Sequence, residues 1–153
     1  VTAPGSVVAV DQMVSAVPGL IAQMRGFITG KRYKVMTVFV DQFSGLSFVY
    51  TQKSTTAAET VQAKEAFERY AKAHGAVVRH YHADNGIFAE AEFMQAIEKA
   101  QQTISFCGVN AHHMNGHAEK RIRDLQENAR AMLLHAKRRW PSAVTANLWP
   151  YAI

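Results

Sequence analysis

Three short β-branched runs stand ahead of the first helical stretch of this sequence, and from there strands and helices alternate. The runs are Val7–Met13 (VVAVDQM), Tyr33–Val40 (YKVMTVFV) and Leu46–Thr51 (LSFVYT). Each is rich in residues that fit a pleated, buried surface and too short for a core helix. Asp41-Gln42-Phe43-Ser44-Gly45 separates the last two, which predicts a hairpin. Pro18, Gly19, Gly26 and Gly30 punctuate the earlier gap as a loop or irregular hairpin connection. Thr56 and Glu59 form a capping-box pattern, followed by Val61, Ala66, Phe67 and Tyr70 at roughly helical spacing and a stop at His74-Gly75. Ala76–His82 reads as a fourth strand, Ala89–Gln101 as a helix and Thr103–Phe106 as a fifth strand.

A long helix is predicted over Gly116–Arg138. Its apolar stripe is Ala118, Ile122, Leu125, Ala129, Met132, Leu133 and Ala136, and Pro141 ends it. Ser142–Asn147 is a weaker helical segment, and Leu148-Trp149-Pro150 opens another helix. The order βββ-α-β-α-β-α is that of an α/β chain with a mixed five-stranded sheet flanked by helices.

The chain has 153 residues, enough for one domain with one sizeable core. No apolar run approaches the length a membrane helix needs. Cys107 is the only cysteine, so a disulfide within the chain is impossible and a structural zinc site would lack thiolates. The sequence starts Val-Thr-Ala-Pro without a Met, and residues 1–153 are expected to be one domain excised from a longer polyprotein. The net charge is +5. Between Glu119 and Trp140 lie Lys120, Arg121, Arg123, Arg130, Lys137, Arg138 and Arg139 against three acids, a clustering that suits a polyanion or a solvated face.

Three acids stand out in this layout. Asp11 ends the first strand, Asp84 follows the fourth, and Glu119 lies in the first turn of the long helix. A first strand beside the fourth would bring Asp11 and Asp84 together, with Glu119 presented from the side. Converging carboxylates repel one another unless cations bind between them, the arrangement of two-metal phosphoryl transfer with Mg²⁺ ions roughly 3.5–4 Å apart. Acids at strand ends are also commonly just solvated.

Asp84-Asn85-Gly86 resembles the D-N-G region of retroviral-type integrases. Asn115-Gly116-His117-Ala118-Glu119-Lys120-Arg121-Ile122-Arg123 resembles the N-G-x-A-E-R-x-N-R stretch of Copia-type LTR retrotransposon integrases. Asp124–Leu133 continues like that family's L-x-E-x-A-R-x-M-L, and Val40–Ser44 is similar to its V-D-D-F-S hairpin. The resemblance implies an integrase catalytic core of RNase H-like fold with Asp11, Asp84 and Glu119 as its D, D, E triad and metal ligands. It implies Mg²⁺, with Mn²⁺ as a substitute and two ions in use. It also implies DNA as partner, both element ends and target, a homo-oligomer, and no membrane. Asn115, Lys120 and Arg123 would touch the DNA. The activity implied is strand transfer, a 3′-hydroxyl of the element's end attacking a target phosphodiester, in the nucleus after a stage in a cytoplasmic virus-like particle.

The match has departures. Asp84 and Glu119 are separated by 34 residues, one short of the usual spacing. Ile87 follows Asp84-Asn85-Gly86, Lys120 replaces an Arg, Met114 a Gln, and His117 is unusual. Asp41 belongs to the hairpin and not to the triad. A transposase core, an RNase H-like nuclease and a domesticated DNA-binding module stay open as alternatives. His80, His82 and Asp84 alternate as in metallo-β-lactamase-like hydrolases, but Asn85 stands where that family has a His, and packing or a polar contact under the site suits the two histidines better. His113 and His117, with His112 and Cys107 near, have a spacing that holds zinc but no complete ligand set. Cys107 reads as a buried strand-end residue. The loop Cys107–Gly116 is expected to be the most mobile inner segment, with Gly108 and Gly116 as hinges.

Overall fold

The computed structural model describes residues 1–21, 29–108 and 115–153. The middle of the Cys107–Gly116 segment expected to be mobile, with His112, His113 and Met114, lies outside the described residues, as does Arg25. Five strands form one sheet: β1 (Val8–Leu20), β2 (Arg32–Asp41), β3 (Ser47–Gln52), β4 (His80–Ala83) and β5 (Thr103–Phe106), in the order β3-β2-β1-β4-β5. β1, β2 and β3 pair antiparallel, whereas β4 runs parallel to both β1 and β5. The helices are α1 (Ala57–Ala73), α2 (Ala91–Lys99), α3 (Gly116–Arg139) and a short α4 (Trp149–Ala152).

Strand alternation divides the core into two layers. Val8, Val10, Phe39, Tyr81 and Ala83 face α1 and α2, where they meet Ala63, Phe67, Phe93 and Ile97. Phe39 and Phe67 stack with ring centroids 4.8 Å apart. Ala9, Met36, Val38 and Val40 face the other way, toward Ala118, Ile122, Leu125 and Leu133 of α3 and Trp149 of α4. Lys64 is buried yet paired: its ammonium lies 2.9 Å from Glu68 and over the Tyr81 ring. The Tyr81 hydroxyl donates to the same Glu68 carboxylate at 2.6 Å, so the buried cation, the acid and the phenol satisfy one another.

Element types and order match the sequence reading; the boundaries differ in instructive ways. β1 continues seven residues past Met13, through Pro18 and Gly19. Its ladder with β2 breaks between Val14 and Gly19, an irregularity that accommodates a proline without an N–H. Trp149 fixes this extension by donating from Nε1 to the Val17 carbonyl at 2.8 Å. A Cβ at Gly19 would run into Pro150 and Trp149. β4 starts only at His80, because Arg79 gives its N–H to the Gly5 carbonyl instead of a sheet neighbour. The helix expected over Ala89–Gln101 is α2, two residues shorter at each end, and a 3-10 turn, Ile87–Ala89, stands ahead of it. The helical segment expected over Ser142–Asn147 is a turn leading to a 3-10 turn, Ala146–Leu148. At the start of α1, Thr56 accepts from the Glu59 N–H as a cap should. Glu59 does not reach back to Thr56; it accepts from the Lys53 N–H and the Ser54 hydroxyl, tying β3 to α1.

The aromatic layer between sheet and α1 dominates this packing. Phe67→Ala is expected to cost about 3–5 kcal/mol through lost burial and the cavity left behind. Urea unfolding followed by circular dichroism measures it, with the slope of the transition unchanged.

Candidate active site

The parallel pairing of β1 with β4 aligns Val8 with Tyr81, Ala9 with His82 and Val10 with Ala83. The next residues along are Asp11 and Asp84, so the two acids stand side by side; Asp84 follows the end of β4, whereas Asp11, expected to end its strand, lies inside β1, because the ladder with β2 continues and pairs it with Val38. Alternation fixes their face. Tyr81 and Ala83 point to α1, so His80, His82 and Asp84 point to the opposite face, which Ala9 shares with α3. Asp11 has the parity of Ala9. Gln12 has the other parity and reaches Thr60 of α1 at 2.9 Å and Thr37 at 3.0 Å. Thr37 in turn donates to Gln52, so a buried polar cluster holds β1 from below, one residue from Asp11.

Glu119 comes from the first turn of α3. The start of that helix is anchored by Asn115, whose side chain is 1% exposed and donates from Nδ2 to the Val10 carbonyl at 3.1 Å. The expected DNA contact at Asn115 therefore meets a side chain turned inward and bonded to the residue before Asp11. Ala118, fully buried against the sheet, sets the depth of the helix next to Glu119. Lys120 and Arg123, the other two expected DNA contacts, are exposed. Arg123 makes no ion pair with Glu119 or Glu127, since Lys64–Glu68 is the one ion pair among the described residues. Arg121 lies against the β2–β3 turn, donating to the Gly45 carbonyl at 3.3 Å.

The electrostatics tie the three acids together. Burial pushes the Asp11 carboxyl up to about 6; the Gln12 N–H, 2.8 Å away, works against this, and the charges of Asp84 and Glu119 add to it. Asp84 Oδ1 is buried without a hydrogen-bond partner, as is Asn115 Oδ1. Cys107 lies beside the same carboxylates: burial, a hydrogen bond to Asp84 and the charges of Asp84, Glu119 and Asp11 raise its thiol to about 11. It is a protonated neighbour and not a nucleophile.

Below it His82 Nε2 lies 3.4 Å from Cys107 Sγ and its Nδ1 2.8 Å from the Ser105 hydroxyl. His80 bonds Ser105 and Thr103. The two histidines thus bind β4 to β5 through side chains, the polar contact the sequence favoured over a metal role. Asp41 stands apart. Burial raises its carboxyl, but the Ser44 hydroxyl and the amides of Gly5, Ser44 and Phe43 outweigh this and hold it below its ordinary value. It closes the hairpin turn and pins Gly5 at 2.9 Å.

Among the described residues no three His, Cys, Asp or Glu side chains already stand together as a ready-made cage. The donor chemistry nonetheless suits a hard divalent cation. Asp11, Asp84 and Glu119 offer carboxylate oxygens only, one of them buried and unsatisfied, and their mutual repulsion is what a cation relieves. A separate apolar cavity of about 330 Å³ lies between the distal half of α3, β1 and Trp149, and none of the three acids lines it. Gln12 and Cys107 are the site neighbours that spacing alone did not single out. A glutamine inside an otherwise apolar strand, directly after the acid, was the available signal for the first.

No protein-family model matches the chain, and no curated protein matches it. Solved structures do. A chain of the simian T-cell lymphotropic virus intasome, determined in complex with PP2A regulatory subunit B56 gamma, superposes with a TM-score of 0.61 at 19% identity over 97% of this chain. This chain spans 47% of that one. The HTLV-2 integrase catalytic core domain, solved with magnesium in a dimeric form, gives 0.59 at 18% identity, covering 99% of this chain and 85% of its own. The catalytic core domain of BIV integrase gives 0.60 at 17% identity, with coverage of 94% and 78%. The fold is therefore that of retroviral integrase catalytic cores, a mixed five-stranded sheet with flanking helices.

A carboxyl whose folded value lies above its unfolded one destabilises the fold as it ionises. For Asp11 that contribution is absent below the ordinary value of 3.8 and fully present above about 6. In chelator-treated protein, Asp11→Asn is expected to raise the thermal midpoint at about pH 8 and leave it nearly unchanged at about pH 4. Added Mg²⁺ should stabilise the unsubstituted protein more than the variant. A variant less stable at both pH values would contradict the shared electrostatic strain.

Proposed function

We propose that this chain is the catalytic core of an integrase of the Copia-type LTR retrotransposon kind, a polynucleotidyl transferase that joins element DNA ends to target DNA. The observation that carries the reading is the β1–β4 register. It sets Asp11 and Asp84 in neighbouring rows on the face where α3 presents Glu119, with Asp11 feeling both other charges. The D-N-G segment after β4 and the N-G-x-A-E segment opening α3 fall where such a site needs them. The fold likeness to integrase cores, one of them solved with magnesium and in dimeric form, supports the same reading.

Bound divalent cations, for which Mg²⁺ with two ions is the natural choice, would supply the positive charge that stabilises a phosphorane-like transition state and its entering and departing oxygens. The chain's own groups hold and orient. Asp11, Asp84 and Glu119 provide the ligand oxygens. Asn115 and Ala118 fix the helix that carries Glu119. Gln12 fixes the strand that carries Asp11. Lys120 and Arg123 engage backbone phosphates. In the reaction a 3′-hydroxyl attacks the target phosphorus in line, losing its proton to solvent, and the former 3′-oxygen of the target strand leaves. One phosphodiester forms and one breaks, with no protein-bound intermediate. Self-association and a nuclear site of action belong to the same proposal.

Asp11→Asn, Asp84→Asn and Glu119→Gln each remove a ligand charge at constant volume. Each is expected to abolish joining of a labelled recessed 3′ end to a plasmid in Mg²⁺, while duplex affinity and thermal stability persist. Undiminished Mg²⁺-dependent joining by Glu119→Gln would defeat the assignment. Nicking of DNA without joining would favour the nuclease, with water as attacking group.

A further inference from the structure

β4 and β5 lie in register, with His80 beside Thr103, Tyr81 beside Ile104, His82 beside Ser105 and Ala83 beside Phe106. Alternation sorts this pair by chemistry. Tyr81, Ala83, Ile104 and Phe106 pack into the core on the α1 face. The opposite face carries two polar rows: His80, His82 and Asp84 along β4 and its end, Thr103, Ser105 and Cys107 along β5 and its end. Tying two strands together requires no continuity between such groups, yet here the bonds form an unbroken line. Thr103 Oγ1 lies 2.7 Å from His80 Nδ1, and His80 Nε2 lies 2.8 Å from Ser105 Oγ. Ser105 Oγ lies 2.8 Å from His82 Nδ1, and His82 Nε2 lies 3.4 Å from Cys107 Sγ. Cys107 in turn is hydrogen-bonded to Asp84. The line starts at an exposed residue, Thr103, and ends at a buried one, Cys107, beside the acid.

Donor counting gives this line a direction. A carboxylate only accepts, so the Cys107 S–H donates to Asp84. The sulfur is left to accept from His82, which puts a proton on Nε2. A neutral imidazole carries one N–H, so His82 Nδ1 accepts, and the Ser105 hydroxyl gives its hydrogen there. Ser105 Oγ accepts from His80 Nε2–H, and His80 Nδ1 accepts from the Thr103 hydroxyl. Burial and the charge of His82 hold His80 below its ordinary value, which suits the neutral ring this requires. Every inner member donates once and accepts once, always toward the acid, and bonds arranged in this way strengthen one another by roughly 10–30% each.

We propose that this directed line, Thr103–His80–Ser105–His82–Cys107, fixes the rotation of the Asp84 carboxylate, with Cys107 and His82 as positioning residues that reserve Oδ1 for a divalent cation. The proposal rests on the reading of the three acids as a cation site and adds how one of them is held. Asp84 Oδ1 is buried and has no hydrogen-bond partner among the described residues, so the bond from the thiol falls on the other oxygen. A carboxylate held by one oxygen keeps the second in a fixed direction. A ligand already oriented is not ordered at the moment of binding, and the cation is held more tightly for it.

The experiment uses the whole 153-residue chain after treatment with a chelator. Long-range proton–nitrogen correlation spectra show which ring nitrogen of His80 and His82 carries the proton, at about pH 8, above histidine's ordinary value of about 6.5. Titration with Mn²⁺ followed by electron paramagnetic resonance gives the cation affinity. Thermal melting identifies the variants that fold.

Both rings should be in the Nε2–H form. Ser105→Ala touches neither Asp84 nor Cys107, yet without the Ser105 hydrogen on Nδ1 the Nδ1–H form of His82 becomes accessible. Nε2 then accepts the thiol hydrogen and Asp84 loses its donor. His82 should become a mixture of tautomers, and Mn²⁺ affinity should fall roughly ten-fold. Cys107→Ala should lower the affinity as far, and Cys107→Ser, which keeps a donor, should bring it back; this pair decides if Ser105→Ala does not fold. An Nδ1–H form at His80 would mean that His82 carries both protons and drives the line the other way, which overturns the proposal. So would equal Mn²⁺ affinity in Cys107→Ala, Cys107→Ser and the unsubstituted protein, which would leave these bonds as a tie between β4 and β5. Unsubstituted protein that takes up no divalent cation would sink the reading of the acids and this role together. Failure to join strands bears on the strand-transfer reading alone, since none of these measurements needs it.

Discussion

The parallel contact between β1 and β4 is the constraint on which the site depends. It is only three residue pairs long, Val8–Tyr81 to Val10–Ala83. β4 ends there with Asp84 as the next residue, while β1 runs on with Asp11 as the next residue of its ladder with β2, so the pairing that completes the sheet also brings two carboxylates side by side. A slip of one residue would turn Asp84 to the α1 face and put Tyr81 and Ala83 on the wrong side of the sheet. The core forbids that slip: Tyr81 is fully buried and bonded to Glu68, which also holds Lys64 and Gln102. The buried ion pair under α1, remote from the chemistry, thereby guards the register of the site.

The price of this arrangement is local electrostatic strain. Asp11 is raised to about 6, Asp84 keeps a buried oxygen without a partner, and Cys107 stays protonated up to about 11 in the field of the acids. Structure around the acids counters the repulsion with rigidity. Gln12 is held by two threonines, Asn115 is tied to Val10, and His82 is tied to Ser105 and Cys107. Among the described residues no arginine or lysine forms an ion pair with any of the three acids. A fold that served stability alone would pair such acids; under the proposed function, leaving the charge uncompensated keeps them competent to take up cations.

Much of this was legible in the sequence. Element types follow from β-branched runs, a cap at Thr56 and the apolar stripe of α3, because each rests on local chemistry and short-range periodicity. Asp84 after β4 and Glu119 in the first turn of α3 stand where the sequence put them, since strand ends and helix starts are readable positions; Asp11 does not end its strand, because β1 runs on against β2. What was not legible depended on partners distant in sequence. β1 runs on through Pro18 because Trp149, far along the chain, supplies a contact there. β4 shortens because Gly5 captures the Arg79 N–H. Asn115 resembled a surface residue by type and is buried because Val10 offers it a carbonyl. The Glu59 side chain looked like half of a capping box and instead serves the end of β3.

α3 joins these threads, because three demands fall on different sectors of one cylinder. Small and branched apolar residues must meet the sheet, Glu119 must stand at the border of that contact, and the cations must face out. Ala118 and Ala129, the two buried positions of the helix, are both alanines, which lets the backbone lie close to β1 and β2. A larger residue at Ala118 would lift the first turn and take Glu119 away from Asp11 and Asp84. The same lift would tilt the distal half, where only Ala129 is fully buried and Leu133 and Ala136 are partly so. Position of the third acid and direction of the charged face are thus a single mechanical variable, set by how closely two alanines approach the sheet.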